Sequence, residues 1–198
     1  MKTLEVCCYG VESADIAAKN GADRIELCSA RSEGGLTPSY GELKLALQLN
    51  IPVYPILRPR GGDFCYTAYE LEVMKADLVM IRSMGFQGVV FGALTADGDV
   101  DIAAMEALMG IAKPVGSTAG MDVTFHRAFD MSRDPFTSHE SLKQLGVARI
   151  LSSGMQATAV AGLPLLKELN ALGGPIIMAG GGVRPDNIQL FIDAGLQE

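Results

Sequence analysis

Gly21-Ala22-Asp23-Arg24-Ile25-Glu26-Leu27-Cys28 reads as a helix stop, a turn and the opening of a strand. Helical spacing over Val11–Asn20 leads up to it. Gly21 then caps that helix by taking a left-handed backbone without a Cβ clash. A run rich in Ile and Leu starts three residues later. The same phrase returns with Gly85 and Gly88, and with Gly146 and Arg149. It returns once more at Ala194-Gly195-Leu196-Gln197-Glu198, where an eighth strand is due to begin.

Working outward from these phrases, short apolar runs recur at Leu4–Cys8, Arg24–Cys28, Val53–Arg58, Gly88–Leu94, Asp122–Phe129, Arg149–Ser153 and Ile176–Ala179. Segments with helical spacing lie between them: Val11–Asn20, Tyr40–Leu49, Tyr66–Met84, Ile102–Ile111, His139–Leu145, Leu163–Leu172 and Pro185–Ala194. Strands alternating with helices mean βα units and a parallel sheet. Seven units followed by an unfinished eighth point to an α/β chain folded as a TIM-like (β/α)8 barrel, with the eighth β/α unit missing. A doubly wound sheet is the rival, but it needs fewer strands and no GxGxxG follows the first strand. Such an open barrel exposes the edges of its first and last strands, so either the chain is incomplete or a partner covers the gap. A homodimer or higher homo-oligomer is therefore expected. One domain spans residues 1–198. The small-residue stretch Lys113–Gly120 reads as a flexible insertion before the fifth strand, not a linker.

Composition narrows the function. The chain has 198 residues, 48% hydrophobic and 20% charged, enough for one large core and too apolar for disorder. Sixteen Lys plus Arg against 23 Asp plus Glu give a net charge of -7 with no basic run, which excludes nucleic-acid binding through a basic patch. No apolar stretch is long enough to span a membrane, and the N-terminus lacks a signal-peptide core. Four cysteines, Cys7, Cys8, Cys28 and Cys65, form no CxxC pair. A reduced, cytoplasmic protein with free thiols fits.

In a βα barrel the chemistry gathers at the C-terminal ends of the strands. Period two places Glu5 with Cys7 on one face of the first strand, and Glu26 with Cys28 on one face of the second. A buried carboxylate needs a partner, and Arg58 and Arg60 are the natural ones. Glu5 and Glu26 are then either part of a structural ion network filling the barrel or general bases. Cys7 and Cys28 are either small buried hydrophobes or two thiolates holding a soft ion such as Cu(I). Cys8 points toward the helices, and Cys65 is exposed on a loop. His126, on one face with Thr124, is a satisfied core histidine, a proton shuttle or the completing ligand of a Cys2His site. His139 reads as a surface residue. Gly180-Gly181-Gly182 after the seventh strand is an anion cradle, aided by the helix that follows, with Ser153 at the end of the sixth strand beside it. Gly34-Gly35 and Gly61-Gly62 read as mobile loops over the mouth.

Long stretches also resemble one family. GADRIELCSARSEGGLTPSYG (Gly21–Gly41), RPRGGDF (Arg58–Phe64), VVFGALTADGDVD (Val89–Asp101), VTFHRAFDM (Val123–Met131), RILSSG (Arg149–Gly154) and IIMAGGGV (Ile176–Val183) are similar to the CutC family, in order along essentially the whole chain. The resemblance implies a TIM-like barrel, a cytoplasmic location, self-association and a part in copper homeostasis, with Cys7 and Cys28 as Cu(I) ligands. The chain departs from the family pattern by extra length at Gly116–Gly120 and by lacking the eighth strand and helix.

Two functions follow. One is a copper-handling protein whose partner is the ion held at Cys7 and Cys28. The other is an enzyme on a small anionic or phosphorylated metabolite: Arg58 and Arg60 clamp the anion, Glu5 or Glu26 is the base, His126 the acid. The reaction is then isomerisation, epimerisation or aldol-type cleavage, without a Schiff base because no lysine ends a strand. An inert scaffold is disfavoured, because it would fill these strand positions with Val, Ile and Leu.

Overall fold

The structure, a computed structural model, describes residues 2–114 and 120–198. Of the insertion expected over 113–120, residues 115–119 lie outside the described residues. Among the described residues, seven parallel strands alternate with seven α-helices. The strands are β1 (Glu5–Cys8), β2 (Arg24–Leu27), β3 (Val53–Pro55), β4 (Gly88–Phe91), β5 (Asp122–Phe125), β6 (Arg149–Ser152) and β7 (Ile176–Ala179). The helices are α1 (Val11–Lys19), α2 (Tyr40–Ala46), α3 (Ala68–Ser83), α4 (Ile102–Ala112), α5 (Pro135–Gln144), α6 (Leu163–Ala171) and α7 (Ile188–Asp193).

The strands stand in chain order, β1-β2-β3 and β4-β5-β6-β7, the two sets joined by a single bridge between Ile56 and Val90. The arrangement is TIM-like. Among the described residues β1 and β7 are not paired with each other. Residues 197–198 lie between them: Thr3 N donates to Gln197 O at 2.9 Å and Ala179 N to Glu198 O at 3.1 Å. These residues take up the position of an opening eighth strand.

The repeated glycine phrase has a common geometry. Gly21, Gly85, Gly146 and Gly195 all have positive φ. After three of them the next amide reaches back five residues: Ala22 N to Ala17 O, Val147 N to Leu142 O and Leu196 N to Phe191 O. This closes the helix ends with a Schellman bond that satisfies carbonyls the helix leaves free. Two helices start three or more residues from where the sequence places them. Asp134 caps the Thr137 amide and Pro135 opens the first turn, so α5 starts at Pro135 instead of His139, and His139 is buried instead of exposed. Asn187 Oδ1 accepts from Arg184 N, which holds residues 185–187 in a turn, and α7 begins only at Ile188, away from the glycine run.

An apolar core in which Phe91, Phe125, Phe129, Ile25 and Leu57 are fully buried packs between the strands and the helices, and a smaller apolar cluster of Cys28, Tyr54, Ile56 and Val90 lies on the inward face. One inward layer is charged. Register sets Glu5 opposite Arg24, and the two form a buried ion pair. Arg24 Nη2 also reaches Glu198 at 2.5 Å, Arg149 reaches Glu198 at 2.8 Å and Asp122 at 3.1 Å, and the Tyr54 hydroxyl donates to Asp122 at 3.1 Å. The guanidinium groups of Arg24 and Arg149 lie over the Tyr54 ring at 5.0 and 5.6 Å. Tyr54 reaches across only because residue 88 is glycine: a Cβ there would sit 2.3 Å from Tyr54 Cζ.

Replacing Arg24 with Met leaves Glu5 without its buried counter-charge. We expect a loss of about 3–5 kcal/mol in urea unfolding; a loss under about 1 kcal/mol would show the layer to be dispensable.

Candidate metal and anion site

Above the charged layer, register stacks the next inward residues. Cys7 is level with Glu26, and Cys28 lies one inward position further along β2. The Glu-x-Cys steps of the two strands are therefore offset, and the thiol of one meets the carboxyl of the other. Cys7 Sγ and Cys28 Sγ are 3.7 Å apart, and with a Glu26 oxygen the three ligand atoms lie within 4.8 Å of one another. Gly35 seals this group from the loop side: a Cβ there would lie 3.2 Å from Cys28 Sγ.

The electrostatics follow from burial and from the short sulfur contact. An ionised Cys7 can accept from the Cys28 thiol, and Glu26 and Tyr9 add hydrogen bonds, so Cys7 is lowered to about 7 despite its desolvation. The same contact, together with burial, pushes Cys28 up. Burial first, then the charge of Cys7 and of Glu5, raises Glu26 well above the carboxylate range.

These residues line a cavity of about 580 Å³, the size range of small-molecule sites. Of the residues singled out in the sequence, Glu5, Glu26, Cys7, Cys28, Arg58, His126 and Gly180, Gly181 and Gly182 line it. Arg60 and Ser153 do not. Arg60 is drawn off by Glu70 at 2.5 Å and Asp63 at 2.9 Å. Ser153 hydrogen-bonds Asp130 and the Gln156 carbonyl. Arg58 is not the partner of Glu5 or Glu26: Arg24 holds Glu5, and Arg58 donates to the carbonyls of Glu33, Gly35 and Gly62. The loops 31–35 and 61–62 supply those carbonyls within reach.

His126 is buried, and its Nδ1 accepts from Ala128 N at 3.2 Å, so the ring proton sits on Nε2, which has no partner among the described residues. Burial, aided by the Arg58 charge, lowers its pKa to about 3. At neutral pH it is a neutral donor, not an imidazolium able to give up a proton as a general acid.

Reading the strands alone misses Asp130, which lies beyond β5 on the 3-10 turn Arg127–Met131. Its carboxylate accepts from Ser152 Oγ at 2.6 Å, from the amides of Ser153 and Met155, and from Arg127 Nε at 2.7 Å. It locks the end of β6 to the cavity rim. An acid a few residues past a strand end is its only sequence signal.

A family model described as the CutC family matches residues 2–198. A CutC family protein of Photorhabdus laumondii is 58% identical over 100% of this chain and 78% of that protein. The chain belongs to the CutC family. The Proteus mirabilis relative is 56% identical, again over 100% of this chain and 78% of that protein. A solved Streptococcus agalactiae CutC structure, named for copper homeostasis, is 32% identical with a TM-score of 0.90, covering 100% of this chain and 96% of that one. An aldolase designated QR15, 14% identical with a TM-score of 0.66 over 99% of this chain and 87% of its own, shares the fold alone.

The depressed His126 pKa fixes a sign. The unfolded chain takes up this proton near pH 6.5 and the folded chain only near pH 3, so the stability tied to neutral His126 is complete above pH 6.5 and is lost as pH falls. Relative to His126→Gln, the parent should lose up to about 1.4 kcal/mol per pH unit in that window, measured by urea unfolding. Parallel curves for the two proteins would refute a neutral His126.

Proposed function

We propose that the chain is a copper-handling protein that holds Cu(I) at the cavity through Cys7 and Cys28, with Glu26 beside them. The observation that carries the reading is the pair of sulfurs 3.7 Å apart on adjacent strands, one of them a thiolate former near neutral pH. Thiolates are the soft donors that select Cu(I), and two sulfurs this close can both touch one ion. The register also disfavours the competing fate of a dithiol. Cys28 lies one strand across and two residues along from the residue level with it, a Cα separation of about 8 Å from strand spacing and rise, beyond the reach of an unstrained disulfide.

In this reading Cys7 binds first, as the thiolate that already exists at neutral pH. Cys28 releases its proton as it joins, which makes binding proton-linked. Glu26, kept protonated by burial, hydrogen-bonds Cys7 and limits the negative charge the pocket must carry before metal arrives. The charged layer below, from Glu5 to Asp122, fixes the strands from which the ligands project. A reducing compartment, the cytoplasm, suits four unpaired cysteines. A homo-oligomer is expected because, among the described residues, β1 and β7 are not paired with each other.

Anaerobic competition against a Cu(I) chelator should give one ion per chain. Cys7→Ser or Cys28→Ser should each weaken binding by more than about 100-fold, beyond the loss that follows when a supporting partner is removed. A Cys7→Ser/Cys28→Ser double variant that competes as well as the parent would overturn the reading. Light scattering checks the assembly separately: a dimer or larger is expected, and a monomer at every concentration would rule that part out.

A further inference from the structure

Arg58 is a buried cation without an anion. Arg24, Arg60, Arg127, Arg133 and Arg149 each meet a carboxylate. Arg31, Arg82 and Arg184 lie exposed at the surface. Arg58 is 6% exposed, and among the described residues no carboxylate pairs with it. Its three hydrogen bonds all go to backbone carbonyls, and its Nε has no partner. Carbonyl dipoles orient a guanidinium but bring no opposite charge. A buried charge in this state is unfavourable unless something supplies a counter-charge.

The neighbouring group is of the same kind. His126 is 4% exposed, and its Nε2–H, fixed as a donor by the bond at Nδ1, is also unpartnered. Phe64 connects the two: its ring centre lies 4.8 Å from that of His126 and 4.7 Å from Arg58 Cζ. All three line the cavity. Glu26, the cavity's unpaired acid, does not meet this need: among the described residues it forms no ion pair with Arg58, whose guanidinium is held by carbonyls.

We propose that Arg58 and His126 form a binding site for the oxyanion of a small metabolite, a carboxylate or a phosphate, with Phe64 packing against the carbon skeleton. A planar guanidinium and a neutral N–H donor are suited to two oxygens of one anionic group. The cavity of about 580 Å³ has room for a metabolite-sized molecule beyond that group. The site goes beyond metal binding and does not depend on it: the ligand atoms that come together are those of Cys7, Glu26 and Cys28, and His126, offered by the sequence as a third ligand, is not among them.

The test uses the purified full chain, freed of metal, titrated with sodium malonate and with sodium phosphate against sodium chloride at matched ionic strength. Calorimetry should give saturable binding of at least one of them at one per chain, and the His126 ring resonances should move along the same isotherm. Tighter binding of malonate assigns a carboxylate; tighter binding of phosphate assigns a phosphate. Arg58→Gln should weaken binding at least about tenfold. Arg58→Lys, which keeps the charge and loses the fork, should also weaken it, and circular dichroism reports whether either variant folds. Cys7→Ser/Cys28→Ser should bind the anion like the parent, which separates this site from the copper reading. Neither anion saturating in the tens of millimolar, or saturation that leaves the His126 ring unmoved, would overturn the inference even if both arginine variants fail to fold.

Discussion

The pairing of Glu5 with Arg24 is the constraint from which the site geometry follows. Side-chain alternation tells only which residues of a strand face inward, and a slip of two residues keeps the same residues inside. For β1 and β2 one such slip sets Glu5 opposite Glu26, two carboxylates in a desolvated interior. The observed register instead sets Glu5 opposite Arg24 and joins them in an ion pair. A buried pair of this kind adds little net stability over apolar packing, but breaking it is expensive, and that penalty selects one register. The same register puts Cys7 level with Glu26 and brings Cys28 within 3.7 Å of Cys7. The chemistry of the upper layer is thus a consequence of the charge pairing in the lower one.

The sequence shows where elements begin and end because glycine caps and alternating apolar textures are local signals. Gly21, Gly85 and Gly146 mark three helix ends, and their positive φ values bear out that reading. The inward faces of β1 and β2 were legible for the same reason. Register was not, because it depends on which charges meet across strands. The partner of Arg58 was not legible either: its hydrogen bonds go to carbonyls of two loops, and backbone groups leave no mark on composition. His139 was misread although its signal is local, since Asp134-Pro135 is a helix start that carries α5 four residues further back and turns the imidazole inward.

The remaining structure separates two kinds of unmet electrostatic need. On β1 and β2, Glu26 is a buried acid with no cation, beside a thiol that ionises near neutral pH. Beyond the ends of β3 and β5, Arg58 Nε and His126 Nε2 are donors with no acceptor among the described residues. The simplest relief would be contact between Glu26 and Arg58. The loops prevent it, because the carbonyls of Glu33, Gly35 and Gly62 hold the guanidinium in place.

Burying an acid and a cation apart from each other costs folding free energy, and an ion network like that of Arg24 and Arg149 shows that this fold can pair such groups where pairing is all that is needed. Local rules broken without structural compensation mark places where a ligand completes the structure. Copper alone explains only one side: a cation bound at Cys7 and Cys28 relieves the acid and thiol and leaves Arg58 unmatched. An anion alone explains only the other. The two proposals together, a soft cation at the thiols and an oxyanion at the guanidinium, would meet both needs. Fold likeness to an aldolase bears on neither need, since a barrel hosts many chemistries; both needs come from buried groups that lack partners.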